Sequence, residues 1–435
     1  MPTIQTTISA IILLYVAASK DFVASFQTAT ISQHLYNVRW ATAANEAMRS
    51  SSEEETDAVI PIQLPNFSPV SWLRQEAWAS MSRYEKESFL EHVTKGFFQS
   101  ERLEVHDRYY ATPDRFNTDD IDFGKGVDRV VLGRGPRRVL VLAGIHGNEP
   151  CGVEAVKMML QRKSLFSGNN PNVTSEELLQ DENWTVKLDT LFDSLTIEFL
   201  LGNPAALSQN RRFIKRNLNR LFDINTLCDS ELAEQGEYRY ELHRARLITE
   251  SIRHADFVLD IHSCSSDVGS FALPSSLDLS ECLAEHLPVK YVVESLVHSC
   301  LDGGTTLDAA LWNDVPGVCV ECGQHTHKDV VSRAAAVISS FLRLQVLQED
   351  GAFATPSSQF SEKPITMICT YAERVSHGFE WLKKFPEFHF VAEDEPVFRD
   401  EDRGVVKSPK GGAFIVMPTA QPVLGEEALF WAFAK

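Results

Sequence analysis

From about residue 130 to 345, short apolar runs alternate with amphipathic stretches, as strands and helices do when they take turns in one α/β unit. The clearest strands are Arg138–Ala143, Thr196–Leu201, Phe257–Ile261 and Val318–Glu321. Their apolar character is nearly continuous, as expected of central strands covered on both faces. Helical periodicity runs through Glu231–His254 and Asp329–Leu344. The unit is bounded at 131–349. A loop rich in Ser, Pro and Glu, roughly 350–365, then leads to a different tail, 365–435. There Glu395–Phe398, Gly404–Val406 and Ala413–Met417 are short runs split by Pro409 and Gly411-Gly412, a spacing that predicts a small C-terminal β domain.

The other end of the chain has a different character. Ile8–Ala18 is apolar and uncharged, yet far short of the ~20 residues that cross a bilayer. A signal-peptide core is one reading, although no Lys or Arg precedes it. From Ser19 to Ser52 the chain is rich in Ser, Ala and Thr, until Glu53-Glu54-Glu55 ends that character. Residues 1–52 thus read as a targeting segment or a disordered tail, and 53–130 as an N-terminal extension without an assigned role. The compartment is cytoplasmic or, if the segment is a targeting peptide, organellar or secreted. Asn66-Phe67-Ser68, Asn172-Val173-Thr174 and Asn183-Trp184-Thr185 match the glycosylation sequon, a triplet that often arises by chance.

Composition narrows the partners. A hydrophobic share of 44% and a charged share of 23% over 435 residues are those of an ordinary globular protein, with no stable membrane span expected. The net charge of -19 repels polyphosphates, which makes nucleic acid a poor partner. Eight cysteines are too sparse for a disulfide scaffold. Cys319-x-x-Cys322 reads as two buried small hydrophobes on a strand, with a redox or metal role as the alternative.

Candidate chemistry collects at strand ends. Gly144-Ile145-His146-Gly147-Asn148-Glu149-Pro150 follows the first strand and places a His and a Glu close enough to bind one ion. In the third strand Asp260 and His262, two apart, share a face, so Asp260 can orient the imidazole through its other nitrogen. Two His and one carboxylate with an open fourth position form a catalytic zinc set. Taken singly, each His also reads as a satisfied polar group at a core edge. The carboxyl ends of strands are, however, where open α/β sheets place their sites. Glu321 ends an apolar strand, where an acid is costly unless paired or catalytic, and it suits a general base. A structural ion pair is the alternative. His325 and His327 read as loop residues, with assistance to proton transfer as a lesser role. Arg211–Arg220 holds five cations in ten residues. It is either a solvated charged face or a pocket for an anionic small-molecule substrate, one Arg polarising the scissile carbonyl and another forking onto a carboxylate.

His146-Gly147-Asn148-Glu149, Gly202-Asn203-Pro204, Arg212 with Asn219-Arg220-Leu221-Phe222-Asp223, Asp260-Ile261-His262 and Glu321-Cys322-Gly323-Gln324 together resemble the succinylglutamate desuccinylase/aspartoacylase family of zinc-carboxypeptidase-like hydrolases. The resemblance spans roughly 130–345 and continues at Gly425–Phe430. It implies a central, mostly parallel mixed sheet flanked by helices, and one zinc ion held by His146, Glu149 and His262. It further implies Glu321 as general base, Arg212 as stabiliser of the oxyanion, and Asn219 with Arg220 as carboxylate binders. The implied reaction is hydrolysis of the amide bond of an N-acyl amino acid or similar small anionic amide. Two other readings share these residues: a zinc carboxypeptidase acting on peptides, and a catalytically silent binding homologue. The chain departs from aspartoacylase itself, whose further Tyr and Arg have no counterpart in Thr305–Leu311, and whose C-terminal Tyr gives way to Val416-Met417-Pro418. N-acetylaspartate and succinylglutamate are therefore not singled out as substrate.

Overall fold

A computed structural model describes residues 109–111, 123–161, 188–229, 232, 235–236, 238–265, 269–297, 304–349, 352–353 and 363–435. The expected segment 1–52, most of 53–130, all three sequons and most of the 350–365 loop lie outside the described residues. The first elements are β1 (Tyr109–Ala111), β2 (Arg129–Gly133), β3 (Arg137–Ala143), α1 (Cys151–Gln161), α2 (Leu188–Ser194) and β4 (Leu195–Leu201). Next come α3 (Pro204–Ser208), α4 (Ile224–Cys228), α5 (Arg239–Arg253), β5 (Phe257–Cys264), β6 (Phe271–Pro274), α6 (Asp278–Glu285) and β7 (Tyr291–Glu294). They are followed by α7 (Thr306–Trp312), β8 (Gly317–Gln324), α8 (Val330–Leu347), β9 (Gln348–Glu349) and β10 (Ala352–Phe353). The remainder is strand: β11 (Ile365–Arg374), β12 (Glu380–Trp381), β13 (His389–Val391), β14 (Pro396–Asp400), β15 (Gly404–Lys407), β16 (Ala413–Val416) and β17 (Glu427–Ala434).

Twelve of these strands form one mixed sheet in the order β1-β2-β4-β3-β5-β8-β6-β7-β11-β17-β16-β13. Its centre is parallel: β3 pairs with β4 and β5, and β5 with β8. Strands β2 and β6 run against their neighbours β4 and β8. The tail joins the sheet through the parallel β7–β11 pairing and then continues antiparallel through β17, β16 and β13. Strands β12, β14 and β15 form a separate three-stranded sheet.

The apolar continuity of the central strands reflects two cores. Val139, Val141 and Ala143 face one core with Phe257, Leu259 and Ile261, under α1, α2, α6 and α8. Leu140, Leu142 and Val258 face the other, under α4, α5 and α7. Each fully buried Leu, Ile or Val contributes roughly 1.5–3 kcal/mol, so helices clamp both faces and fix the strand ends that carry polar residues. Helix α8 is long and apolar enough to cross a membrane, but Ala334, Val337, Ile338, Phe341 and Leu342 bury its inner face in the first core. No other described helix passes that test. Helix α5 starts at Arg239, later than its periodicity suggested, after a turn that contains Gly236; glycine is unfavourable in a helix interior.

Candidate metal and substrate site

Strand alternation decides which side chains share a face. In β5, Leu259 and Ile261 enter the first core, so Asp260 and His262 point to the opposite side, toward α5 and α7. Strand β8 alternates likewise, with Val320 and Cys322 in the first core and Glu321 opposite. His262 and Glu321 are register partners across the parallel pairing, which places them side by side.

The third segment is the turn after β3. Gly144 has φ +66°, a left-handed conformation that glycine adopts freely, and it swings the chain out of the strand. Gly147 packs so tightly on the start of α3 that a Cβ there would lie 2.1 Å from the Ala206 carbonyl carbon. Hydrogen bonds from Asn203 N to Gly144 O (2.9 Å) and from Gly147 N to Arg212 O (3.2 Å) pin the turn on both sides. His146 and Glu149 are thereby delivered to the face that carries His262.

His146, Glu149 and His262 are all buried, and one ligand atom of each lies within 4.8 Å of the others. Glu149 is the centre. Its Oε1 lies 2.9 Å from His146 Nδ1 and its Oε2 lies 2.9 Å from His262 Nδ1. Behind each ring stands an acceptor: Asn217 Oδ1 is 3.1 Å from His146 Nε2, and Asp260 Oδ2 is 3.0 Å from His262 Nε2. His146 Nε2 can thus donate to Asn217 Oδ1, whereas His262 is hydrogen-bonded to Glu149 Oε2 through Nδ1 and has no hydrogen-bond partner at Nε2. His146 Nδ1, buried beside Glu149, has no hydrogen-bond partner. Two imidazole nitrogens thus converge on one buried carboxylate with His146 Nδ1 left unsatisfied, a donor set that fits a divalent cation.

The titration behaviour has the same cause. Burial, reinforced by Arg212, lowers the His146 pKa to about 4, leaving a neutral nitrogen donor. For His262 burial opposes the charged form, but Asp260 and Glu149 outweigh it and hold the imidazole well above its ordinary value. Glu149 is likewise kept well below the usual carboxylate range against its burial, chiefly by His146 and also by His262. Glu321 is the exception: burial and then the charge of Glu149 push it up to about 8, against the opposing influence of His262 and Arg212. Its Oε2 is buried without a hydrogen-bond partner.

The basic run divides among several tasks. The Arg212 guanidinium donates to Glu149 Oε1 (2.9 Å) while its side chain remains 46% exposed, which leaves room for a ligand on its outer edge. Arg216 lies over the Tyr238 ring, 4.5 Å from its centroid. Asn219 Oδ1 accepts from Thr306 N (3.0 Å), so its NH2 is the end left for a ligand. Arg220 donates to Asn219 O (2.8 Å) and to Glu427 Oε2 (3.2 Å). The backbone of the run is held by buried Glu241, which accepts from Ile214 N (2.7 Å) and Lys215 N (3.2 Å).

Three contributors escaped the sequence reading. Asn217 backs His146; Thr306 Oγ1 donates to Asp260 Oδ2 (2.6 Å); Ser263 N donates to Glu149 Oε2 (3.3 Å). Thr306 also lies in the stretch where the aspartoacylase Tyr and Arg have no counterpart. A signal was available for Asn217 alone, two residues before Asn219 in the same run. Ser263 Oγ lies 2.8 Å from His325 Nδ1, and burial lowers the pKa of that half-buried imidazole. His327 instead accepts from Asp329 N (3.1 Å) away from these groups. Cys319 and Cys322 are buried on opposite faces of β8, in different cores.

Residues 183–344 match the sequence model of the succinylglutamate desuccinylase/aspartoacylase catalytic domain. The turn that carries His146 and Glu149 precedes that segment. Over 161 residues the chain is 30% identical to a "probable aspartoacylase" of Acaryochloris marina, covering 35% of this chain and 45% of that protein. It is also 30% identical over 139 residues to the N-acyl-aromatic-L-amino acid amidohydrolase (carboxylate-forming) of Rattus norvegicus, covering 31% and 35% respectively. The chain thus spans less than half the length of either relative. Among solved structures, the succinylglutamate desuccinylase of Vibrio parahaemolyticus has the same fold. Its TM-score is 0.50 at 18% identity, covering 71% of this chain and 86% of that one.

Proposed function

We propose that this chain, whose residues 183–344 match the catalytic-domain model of the succinylglutamate desuccinylase/aspartoacylase family, is a zinc-dependent hydrolase of the amide bond in an N-acyl amino acid or a similar small anionic amide. The observation that carries this reading is the Glu149 carboxylate set between two histidine Nδ1 atoms, with Glu321 in register beside one of them. In this reading residues 131–349 form the hydrolase unit and 365–435 a C-terminal β-rich unit.

His146, Glu149 and His262 hold the ion, and Asn217 and Asp260 orient the two imidazoles from behind. A zinc ion bound there supplies an electrophile for the carbonyl oxygen and acidifies water. Glu321 takes the proton of the attacking water and returns it to the leaving nitrogen. Arg212, anchored on Glu149, donates to the carbonyl oxygen as charge builds on it. Asn219 and Arg220 hold the substrate carboxylate.

The test is metal analysis of the full chain together with a screen of N-acyl amino acids and C-terminally free peptides. The expected outcome is about one zinc per chain, as a single site requires, and release of free amino acid that stops on chelation and returns with zinc. Cleavage of peptides alone would move the assignment to a carboxypeptidase. Zinc binding without turnover of either class would leave a silent homologue.

A further inference from the structure

Cys319 and Cys322 cannot act as a redox pair, because they lie on opposite faces of β8. Cys322 has a different neighbour. Cys151, the first residue of α1, is buried in the same core as Cys322, at 1% and 0% exposure, and the two thiols are in hydrogen-bond contact. Strand alternation explains the meeting. It puts Ser263 of β5 on the face of Leu259 and Ile261, and Cys322 of β8 on the face of Val320, which is the same side of the sheet. The two strands are direct neighbours, paired from Val258–Gly317 to His262–Glu321. The start of α1 lies over their ends, where the Cys151 thiol donates to His262 O (3.5 Å) and makes a further hydrogen bond with the Ser263 side chain.

Polar side chains connect this pair to the surface. Ser263 Oγ also lies 2.8 Å from Nδ1 of the half-buried His325. His325, Ser263, Cys151 and Cys322 therefore form one polar row leading inward from a partly exposed imidazole. Hydrogen peroxide, a polar molecule little larger than water, matches such a row in size and hydrogen bonding. Two thiols already in contact need only a small displacement to reach the S–S length of about 2 Å.

We propose that Cys151 and Cys322 are an oxidative modification site, converted by hydrogen peroxide to a disulfide that loosens the metal site. The Cys151 sulfur attacks one peroxide oxygen, the O–O bond breaks, and the departing hydroxide leaves as water with the thiol proton. This gives a sulfenic acid. The Cys322 sulfur then attacks the Cys151 sulfur, and the S–OH oxygen leaves as a second water with the Cys322 proton. The two sulfurs lose two electrons in all, and the two peroxide oxygens gain them. Cys151 stands two residues after Glu149, and Cys322 directly follows Glu321. The new bond thus pulls the metal turn toward β8 and shifts Glu149 from its place between His146 and His262. Formation of the bond is independent of the proposed hydrolysis, whereas its effect on zinc rests on the proposed metal site.

The experiment treats the full chain with hydrogen peroxide and maps its peptides by mass spectrometry without reduction. The expected product is one peptide pair linked through Cys151 and Cys322, lighter than the two free peptides by two hydrogens. Competition against a chromophoric chelator should show zinc affinity about tenfold lower in the oxidised chain, as misplacement of a ligand's surroundings costs, and restored by dithiothreitol. Cys322→Ala should form no link and should instead leave Cys151 as a sulfenic acid that dimedone traps. Mapping of the wild type needs no variant, so a Cys322→Ala chain that fails to fold leaves the test intact. Absence of the Cys151–Cys322 link, or a link from Cys322 to Cys319, overturns the inference. A link formed with unchanged zinc affinity overturns its effect on the site. A wild type that binds no zinc in either state overturns the metal reading and leaves the disulfide standing.

Discussion

Glu321 and His262 face each other directly across the parallel β5–β8 pairing, both buried and both on the side of the sheet away from α1 and α8. The pairing puts an acid raised to about 8 beside an imidazole held well above its ordinary value. Burial and Glu149 raise the acid, and Asp260 with Glu149 raises the imidazole against its burial.

Replacing Glu321 by Gln preserves shape and removes the base. Turnover is expected to fall about 10²–10⁴-fold, the usual worth of a positioned acid–base group, with zinc stoichiometry unchanged. Steady-state kinetics and metal analysis of the same preparation check this. Retention of full activity would remove Glu321 from the reaction.

The same substitution should alter metal-free stability in a pH-dependent way. A carboxyl raised from 4.5 to about 8 in the folded chain stays protonated there while the unfolded chain has already ionised. Stability is thus fully present below about pH 4.5 and declines as pH rises through about 8. Metal-free Glu321→Gln should therefore match wild type near pH 4 and exceed it above pH 8 by on the order of a few kcal/mol. Denaturant titrations at both pH values decide it, and equal stability at pH 8.5 contradicts the burial argument.

Asn217 and Asp260 stand behind the two imidazoles. Asn217→Ala and Asp260→Ala should each weaken zinc affinity about 10–100-fold, as loss of an orienting partner does. Competition against a chromophoric chelator reads this without any assay of turnover. Unaltered affinity in both variants would leave the two contacts without a role in metal binding.

Gly147 leaves no space for a methyl group, because a Cβ there would meet the Ala206–Leu207 backbone at 2.1–2.2 Å. Gly147→Ala must displace either α3 or the His146–Glu149 turn. The expected cost is roughly 1–3 kcal/mol of stability, together with reduced zinc content. A variant with wild-type unfolding midpoint and full zinc would show that the turn has slack.

The central strands were legible because burial on both faces makes β3, β4, β5 and β8 almost wholly apolar. The four-residue strands β6 and β7 are too short to show a period, and β11 mixes polar and apolar residues, so the join to the tail could not be seen. His146, Glu149, His262 and Glu321 stood out since polar groups at the ends of apolar strands are conspicuous. Thr306 and Glu427 did not. Their partners lie 46 and 207 positions away, and only the fold brings them together. The basic run looked like one patch, yet its cations diverge to Glu149, Tyr238 and Glu427.

Strand β17 lies inside the sheet, between β11 and β16, although it comes last among the strands in chain order. During vectorial synthesis the ribosome therefore exposes β11 and β16 before the strand that joins them exists. Until it emerges both present open ladder edges, and Arg220 lacks the Glu427 carboxylate. Arg220 can gain its Glu427 partner only after β17 has docked.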